Sequence, residues 1–300
     1  MTHPQHAHPM RGMLLIMLAV FMFSSMDTLA KHMLKREAYP ISPLIFARYG
    51  VHLLFMLALL APRMGLDLVR TRHPGLQVLR GLLLVGSTGL FYLSLIYLPL
   101  AEAAAISFVG PVLVAALSGP LLRERIGRRQ WAAIGLGFVG VLIMLDPWGI
   151  EFHVMSLIVL GATFCYALST VMLRLLSRHD SDVVALFWLS LATSAASLVG
   201  AVPVWVWPTP LDWIWLVVMG LLGGIAQILN TRAWRLATTA VLAPFDYTSI
   251  VLAVLFGYLW FKEEPSWMVW FGLPLVIGSG LYILHRERIR ARQQALVSLP

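Results

Sequence analysis

The sequence predicts an all-α membrane protein, with ten transmembrane helices arranged as two inverted five-helix repeats around a central cavity. Three observations support this fold class: an apolar composition, long apolar runs separated by short polar segments, and similarity between the two halves of the chain. Of the 300 residues, 59% are hydrophobic and 12% are charged, whereas an average soluble domain is about 45–50% apolar and about 25% charged. The lipid bilayer must therefore solvate much of the protein surface.

Apolar runs long enough to cross a bilayer recur along the whole chain. A transmembrane helix requires about 17–25 mostly apolar residues. On this criterion the predicted spans are 12–33, 44–61, 76–97, 102–122, 130–146, 153–176, 183–206, 212–234, 240–261 and 267–285. The connections leave no room for a soluble domain. The first run is too long for the apolar region of a signal peptide and nine more runs follow it, so we expect a retained helix.

The basic residues indicate how the helices are oriented. The chain has a formal net charge of +8, but its Lys and Arg residues lie in short clusters and do not form the basic stripe of a nucleic-acid-binding protein. With a cytoplasmic N-terminus, most clusters fall on the cytoplasmic side, where we also place Arg80, and the far side receives Lys35, Arg36 and Lys262. The positive-inside rule therefore predicts a multi-pass protein of a bacterial inner membrane with both termini in the cytoplasm.

The two halves of the chain are similar to each other. A shift of 139 residues aligns Glu124 with Glu263 and Trp131 with Trp270. Because each copy holds an odd number of spans, the second copy enters the membrane in the opposite direction. We therefore predict a first repeat at 1–147, a second, inverted repeat at 148–287 and a cytoplasmic tail at 288–300. Inverted repeats are a feature of secondary transporters, whose substrate site lies near the midplane between the halves.

Two segments that each end a span carry a family resemblance. The stretch PVLVAALSGPLLRERIG (111–127), its counterpart DYTSIVLAVLFGYLWFKEEP (246–265) and the duplicated plan resemble the EamA branch of the drug/metabolite transporter superfamily. A glutamate, Glu124 or Glu263, ends the span in each copy, and we expect a structural role for both. The resemblance covers nearly the whole chain and implies a transporter. The copies differ where Ile250 takes the position of Pro111, so span nine lacks the proline kink available to span four.

Three shorter segments resemble superfamily members that take up S-adenosylmethionine or riboflavin. They are FSSMDTLAKHML in span one, FARYG in span two and LAPFDY in span nine. The resemblance implies a secondary transporter of small polar or zwitterionic metabolites, preferably a compound with a flat ring, that works by alternating access. Other members of the superfamily export amino acids or toxic metabolites, so export is the alternative direction of transport.

Ionisable residues inside the predicted spans mark the candidate substrate site, because a charge at the bilayer centre costs at least about 2.5–3.5 kcal/mol. Asp27 and Lys31 are four residues apart on one helix face, where they either neutralise each other or bind charged groups of a substrate. Arg48 either reaches the membrane interface or joins Asp27 at the cavity. Asp246 follows Pro244, which can unwind a helix that lines a cavity. Asp27 and Asp246 are the candidates for proton coupling.

Neutral polar and aromatic residues complete the predicted site. The shift of 139 residues places Tyr166 opposite Asp27, so we expect the second half to supply uncharged hydrogen-bonding groups. An aromatic wall suits a flat ring, although aromatic residues in membrane proteins also form belts at the interface. The further candidates for substrate binding are Tyr92, Tyr166, Trp188, Gln227, Asn230 and Tyr247.

Other functions are disfavoured. The segment GLGFVG (135–140) matches a dinucleotide-binding fingerprint, but it lies in an apolar span without a preceding soluble strand, so close helix packing is the better interpretation. We find neither a nucleophile–base set nor a P-loop, which disfavours an intramembrane enzyme and direct use of ATP. A passive channel is a further alternative.

No metal site and no cofactor are predicted. The expected partners are a small-molecule substrate, the lipid bilayer and protons, and the chain is compatible with a monomer or a homodimer.

Overall fold

The computed structural model describes residues 9–36, 39–65, 69–122, 128–145, 153–176, 180–236, 242 and 245–297. Within these residues the regular structure is helical and no strand is present. Seven helical segments of the described chain are long and apolar enough to cross a membrane, and three shorter apolar helices lie at Trp131–Leu145, Thr248–Phe261 and Trp267–Ile283. The predicted all-helical class is confirmed, whereas the number of ten spans stays a prediction.

The helices are numbered in chain order. They are α1 (Pro9–Arg36), α2 (Ile41–Met64), α3 (Pro74–Tyr97), α4 (Leu100–Ser107), α5 (Gly110–Leu122), α6 (Arg128–Leu145), α7 (Val154–Leu176), α8 (Asp182–Ala201), α9 (Pro210–Leu236), α10 (Thr248–Phe256) and α11 (Trp267–Val297). A 3₁₀ turn at Val202–Val204 follows α8, and a π-helix at Gly257–Phe261 continues α10. Helices α4 and α5 together form one candidate span, Leu100–Leu122.

Proline and serine residues set several helix ends. Pro74 opens α3, where a missing backbone N–H is not needed. Ser181 accepts a hydrogen bond from the backbone N of Val184 and so caps α8. The candidate span of α4 and α5 is interrupted just before Pro111, which lies in the first turn of α5. The corresponding Ile250 lies in the first turn of α10, which begins at Thr248 directly after a turn at Tyr247. The helix is therefore interrupted at the corresponding position in both copies, with a proline beside the interruption only in the first.

The closest helix pairs join the first half of the chain to the second. Helix α1 packs on α9, α3 on α7, α2 on α8, and α6 on α11. Glycines allow close approach in the last of these pairs, since a Cβ atom added to Gly140 would lie 2.8 Å from the carbonyl oxygen of Gly272. This geometry agrees with our interpretation of 135–140 as a helix-packing segment.

Contacts between helix termini distinguish two ends of the bundle. At the end that we call distal, Lys31 near the end of α1 donates a hydrogen bond to the carbonyl of Leu98, which follows α3. At the opposite, proximal end, Gln77 at the start of α3 donates to Asp180, which precedes α8. The sequence predicts that the proximal end faces the cytoplasm.

The distribution of polar and apolar side chains is that of a membrane protein. Large apolar residues such as Leu54, Val199 and Trp207 are more than half exposed. Polar residues such as Thr193 and Ser169 are buried between the helices. A soluble protein does not expose apolar surface on this scale, so the exposed side chains are suited to contact lipid.

Candidate functional site

A cavity of about 690 Å³ lies between α1, α2, α3, α7, α8 and α9. Its volume is within the range of small-molecule sites, roughly 300–1,000 Å³. The charged side chains that line it are Asp27, Arg48 and Arg80. Aromatic rings are supplied by Phe23, Tyr49, Phe91 and Tyr166, and uncharged polar groups by His52, Ser87, Thr88, Ser169, Thr170, Ser190, Thr193, Gln227, Asn230 and Thr231.

Asp27 presents a carboxylate without a direct partner to the cavity. The residue lies on α1 and is partly exposed. In the part of the chain that the structure describes, neither an ion pair nor a hydrogen bond is formed by its side chain. It interacts electrostatically with Arg48 across the cavity without touching it. Since a carboxylate within a membrane is costly unless it is paired or hydrated, Asp27 is available to a ligand or a proton.

Arg48 is held in place by two tyrosines. Its Nη1 atom donates to the hydroxyl of Tyr92 at 2.9 Å, and its guanidinium lies 5.2 Å from the ring centroid of Tyr49 and 5.7 Å from that of Tyr92. Tyr49 is in turn hydrogen-bonded to Thr88 at 2.7 Å. Cation–π contacts and this hydrogen bond orient the cation before a ligand arrives. Of the two alternatives for Arg48, the structure has the one in which it joins Asp27 at the cavity.

The second half of the chain supplies mainly neutral groups to the cavity. Tyr166 on α7 is 51% exposed and lies on the cavity wall. Gln227 and Asn230 on α9 line it as well. The predicted contrast between charged groups from α1 and α2 and uncharged groups from α7 and α9 is therefore present among the described lining residues.

Lys31 lies away from the cavity lining, at the distal end. Its side chain is fully buried, and its Nζ atom donates to the carbonyl of Leu98 at 2.6 Å and to Oε2 of Glu263 at 2.7 Å. The ion pair that the sequence suggested between Lys31 and Asp27 is replaced by one with Glu263. Glu263 thus has the structural role expected of it, whereas Glu124 lies outside the described residues.

The other predicted site residues have contacts outside the lining. Trp188 donates through Nε1 to the carbonyl of Val69 at 3.2 Å. Tyr247 stacks on Phe108 with ring centroids 5.1 Å apart. Asp246 precedes Tyr247 and interacts electrostatically with Tyr166 on the cavity wall. Pro244, which was expected to unwind the helix before them, lies outside the described residues.

Arg80 was counted with the basic residues of the cytoplasmic side and was not proposed as a site residue. Arg80 lies within α3, is only 5% exposed and lines the cavity. The available signal was its position inside the predicted span 76–97. His52 was also not proposed as a site residue, but it lines the cavity one turn beyond Arg48, and its Nε2 atom is buried with no partner in the described part of the chain.

A polar cluster at the proximal end links the α2–α3 connection to the start of α8. Asp180 accepts hydrogen bonds from the Thr71 hydroxyl, from Nε2 of Gln77 at 3.0 Å and from the backbone N of Arg72 at 3.3 Å. Burial alone would raise the pKa of Asp180, but these three donors together hold its pKa below the ordinary value of 3.8. Asp180 is therefore a charged anchor between two connections, at the end opposite Glu263.

Comparison with known proteins identifies the family. The model of the EamA-like transporter family matches residues 10–146 and again residues 153–284. The chain therefore belongs to the EamA-like transporter family, which confirms the resemblance seen in the sequence. Membership identifies it as a membrane transporter and not an enzyme.

Individual relatives cover most of the chain. A riboflavin transporter of Vibrio cholerae is 28% identical over 96% of this chain and 97% of its own. An S-adenosylmethionine uptake transporter of Rickettsia prowazekii is 27% identical over 75% and 76%, respectively, and the pseudopaline exporter CntI of Pseudomonas aeruginosa is 27% identical over 91% and 93%. A solved crystal structure has the same fold with a TM-score of 0.60 at 21% identity, covering 93% of this chain and 98% of that one.

Proposed function

We propose that this chain is a secondary transporter that carries a small polar or zwitterionic metabolite with a flat ring across the bacterial inner membrane by alternating access. The observation that carries the proposal is the cavity between the halves, in which the carboxylate of Asp27 and the guanidinium of Arg48 face a space of about 690 Å³. The ligand binds between these charges and the neutral groups of α7 and α9.

The alternating mechanism rests on a duplicated, inverted architecture. Two consecutive matches to one family model support two repeats. The helix pairs α1–α9 and α3–α7 support their relation. The shift of 139 residues matches α1 with α7 and α3 with α9, so exchanging the two repeats converts one pair into the other. In such folds, rocking of one repeat against the other exposes a fixed midplane site to each side in turn.

Riboflavin and S-adenosylmethionine are the substrates to test first. Relatives named for their transport align over three quarters or more of the chain. Each compound has a flat ring system that suits the aromatic side chains on the cavity wall, Phe23, Tyr49, Phe91 and Tyr166. Each also carries hydrogen-bonding groups for Asp27 and Gln227.

Uptake is the proposed direction, and export is the second candidate. The full-length similarity to the pseudopaline exporter CntI favours that alternative. We propose coupling to protons through Asp27 or Asp246, since Asp27 combines a cavity position with the absence of an ion-pair partner in the described chain.

Transport into proteoliposomes tests the proposal. We expect saturable uptake of radiolabelled riboflavin or S-adenosylmethionine, with counterflow that a passive channel does not show. Imposing a proton gradient should accelerate uptake, and a protonophore should remove that acceleration. A protein that remains folded but neither binds nor moves either compound would overturn the proposed substrate class. Transport in the outward direction only would support the exporter.

A further inference from the structure

Arg80 is a buried cation for which the protein supplies few partners. Only 5% of the surface of Arg80 is exposed. Its Nη1 atom donates to the backbone carbonyl of Ala185 at 3.1 Å. Its Nε atom is buried without a hydrogen-bond partner in the described part of the chain. A guanidinium has five N–H donors, so the described protein groups leave much of its capacity unused.

No carboxylate in the described residues neutralises Arg80. Glu263 is paired with Lys31 and Lys35 instead. Asp180, near the start of α3, accepts instead from Thr71, Gln77 and the backbone of Arg72. A buried charge without a counter-charge is strongly unfavourable, and therefore a group from outside the protein is the natural partner of Arg80.

The cavity as a whole has an excess of positive charge. Among its described lining residues, two guanidinium groups, of Arg48 and Arg80, stand against the single carboxylate of Asp27. Asp27 interacts electrostatically with Arg48. Arg80 lies toward the proximal end, where its charged group interacts with Tyr166 on the facing wall. An arginine beside an aromatic ring suits planar groups with oxygen acceptors.

We propose that Arg80 binds negatively polarised oxygen atoms of the transported molecule, as in a carboxylate, a phosphate or a pair of ring carbonyls, and that its charge makes the cavity select neutral or anionic ligands over net cationic ones. This inference rests on the proposed function, and it makes Arg80 a determinant of specificity. It favours riboflavin, an uncharged compound with two ring carbonyls, over S-adenosylmethionine, whose sulfonium and ammonium groups outweigh its carboxylate.

The competing explanation is that Arg80 only anchors α3 to α8 through Ala185. An anchor requires one N–H donor, which a glutamine also offers, and it does not require a charge. The two explanations therefore differ in whether the charge of Arg80 acts on a ligand inside the cavity. The potential that a ligand meets there can be measured with a charged reagent, without knowing the ligand.

The first experiment measures that potential with a reporter thiol. Cys165 is replaced by Ser, and Thr170→Cys, on the cavity wall beside Ser169, is modified with an anionic or a cationic methanethiosulfonate reagent of similar size. Ser169 contacts the backbone carbonyl of Arg80, so the reporter is close to the proposed subsite. We expect the anion-to-cation ratio of the rates to fall about fivefold or more in Arg80→Gln and to be kept in Arg80→Lys. Arg128→Gln removes an exposed charge outside the cavity and should not change the ratio.

An unchanged ratio in Arg80→Gln would overturn the proposal, and so would failure of both reagents to reach Thr170→Cys. Folding is checked by size-exclusion chromatography. If Arg80→Gln does not fold, Arg80→Met provides the same test, because it removes the charge and keeps an unbranched side chain without buried N–H groups of its own.

The second experiment measures binding of riboflavin and S-adenosylmethionine to the purified full-length protein. We expect the parent protein to prefer riboflavin, and Arg80→Gln to reduce that preference at least about tenfold. A preference that is the same in both proteins would overturn the role in specificity. If neither compound binds the parent protein, the proposed substrate class fails, whereas the reagent rates still decide whether Arg80 confers anion selectivity.

Discussion

The ammonium group of Lys31 lies 2.7 Å from the carboxylate of Glu263, although 232 positions separate the two residues in the chain. Lys31 is fully buried, and the side chain of Glu263 is 12% exposed. Glu263 also accepts hydrogen bonds from Nζ of Lys35 at 3.0 Å and from the backbone N of Leu100 at 3.1 Å. One carboxylate thus joins the distal end of α1, the start of α4 and the connection that follows α10 and its π-helix.

Loss of the Glu263 charge should destabilise the protein. In Glu263→Gln the buried Lys31 loses its ion-pair partner, and we expect a loss of about 3–5 kcal/mol in the free energy of unfolding. Lys35→Gln, which removes a cation that is 46% exposed, should cost about 0–1 kcal/mol. The double variant Lys31→Met/Glu263→Gln should recover part of the loss. Scanning fluorimetry in detergent measures all three, and equal losses for Glu263→Gln and Lys35→Gln would contradict the assignment.

Asp180 should make stability sensitive to acid. Because its pKa is lowered in the folded protein, its contribution to stability is complete above the ordinary value of 3.8 and is lost as the pH falls through the lowered pKa. The melting temperature of the parent protein should therefore approach that of Asp180→Asn as the pH falls from 7 to 3. A difference between the two proteins that stays constant over this range would show that the charge of Asp180 is not used.

Asp27→Asn should affect function and leave stability almost unchanged. The carboxylate has no hydrogen-bond or ion-pair partner in the described part of the chain, so Asp27→Asn removes only its longer-range attraction to Arg48. We expect a melting temperature close to that of the parent and at least about a tenfold loss of substrate affinity, the effect of about 1.4 kcal/mol. Glu263→Gln is the matched comparison, with the opposite pattern. If Asp27→Asn keeps the wild-type affinity for substrate and the wild-type pH dependence of transport, Asp27 has neither of its proposed roles, substrate binding and proton coupling.

Arg48→Lys should impair binding although it keeps the charge. Lysine lacks the planar fork that spans the Tyr92 hydroxyl and stacks near the rings of Tyr49 and Tyr92. Tyr92→Phe removes only the hydroxyl and should cost about 0.5–1.5 kcal/mol of stability, with a smaller loss of affinity than Arg48→Lys. Equal affinity of the parent and Arg48→Lys in a ligand titration would show that charge alone matters at this position.

Gly220→Ala should disturb the packing of α9 on α2. A Cβ atom on Gly220 would overlap the side chain of Val51, on the facing helix, and we expect a loss of about 1–3 kcal/mol. At Gly135 no atom lies within 4 Å of such a Cβ, so Gly135→Ala is the control and should be neutral or slightly stabilising. The melting temperatures of the two variants test this prediction. If Gly220→Ala were as stable as Gly135→Ala, α9 and α2 would not approach each other closely at Gly220.

The candidate site was predicted from the sequence in part. Asp27, Arg48, Tyr166, Gln227 and Asn230 line the cavity, and each is a polar group within a predicted apolar span. Tyr92 lies behind Arg48 as its hydrogen-bond partner. These residues were recognisable because polar side chains within a bilayer require a partner or a function. Lys31 satisfies the same criterion, but its partner is Glu263 and its position is outside the lining.

Arg80 shows why the remaining residues were missed. Near the end of a span, the local sequence does not distinguish an arginine in a loop from an arginine buried within the helix. In both cases polar residues lie next to it. The rotation of α3 against α7 and α8 decides between them, and that rotation depends on contacts such as those of Arg80 with Ala185 and Ser169. These contacts join positions about a hundred residues apart.

The sequence by itself determined that the chain is a helical membrane protein of the EamA-like transporter family. These properties follow from local quantities, since a helix satisfies its backbone hydrogen bonds within its own segment and hydropathy is read along one run. Only the tertiary structure decided that Glu263 pairs with Lys31, that Arg48 rests on two tyrosines and that Arg80 enters the cavity. Those outcomes depend on which faces of distant helices meet, and side-chain packing between the helices fixes those faces.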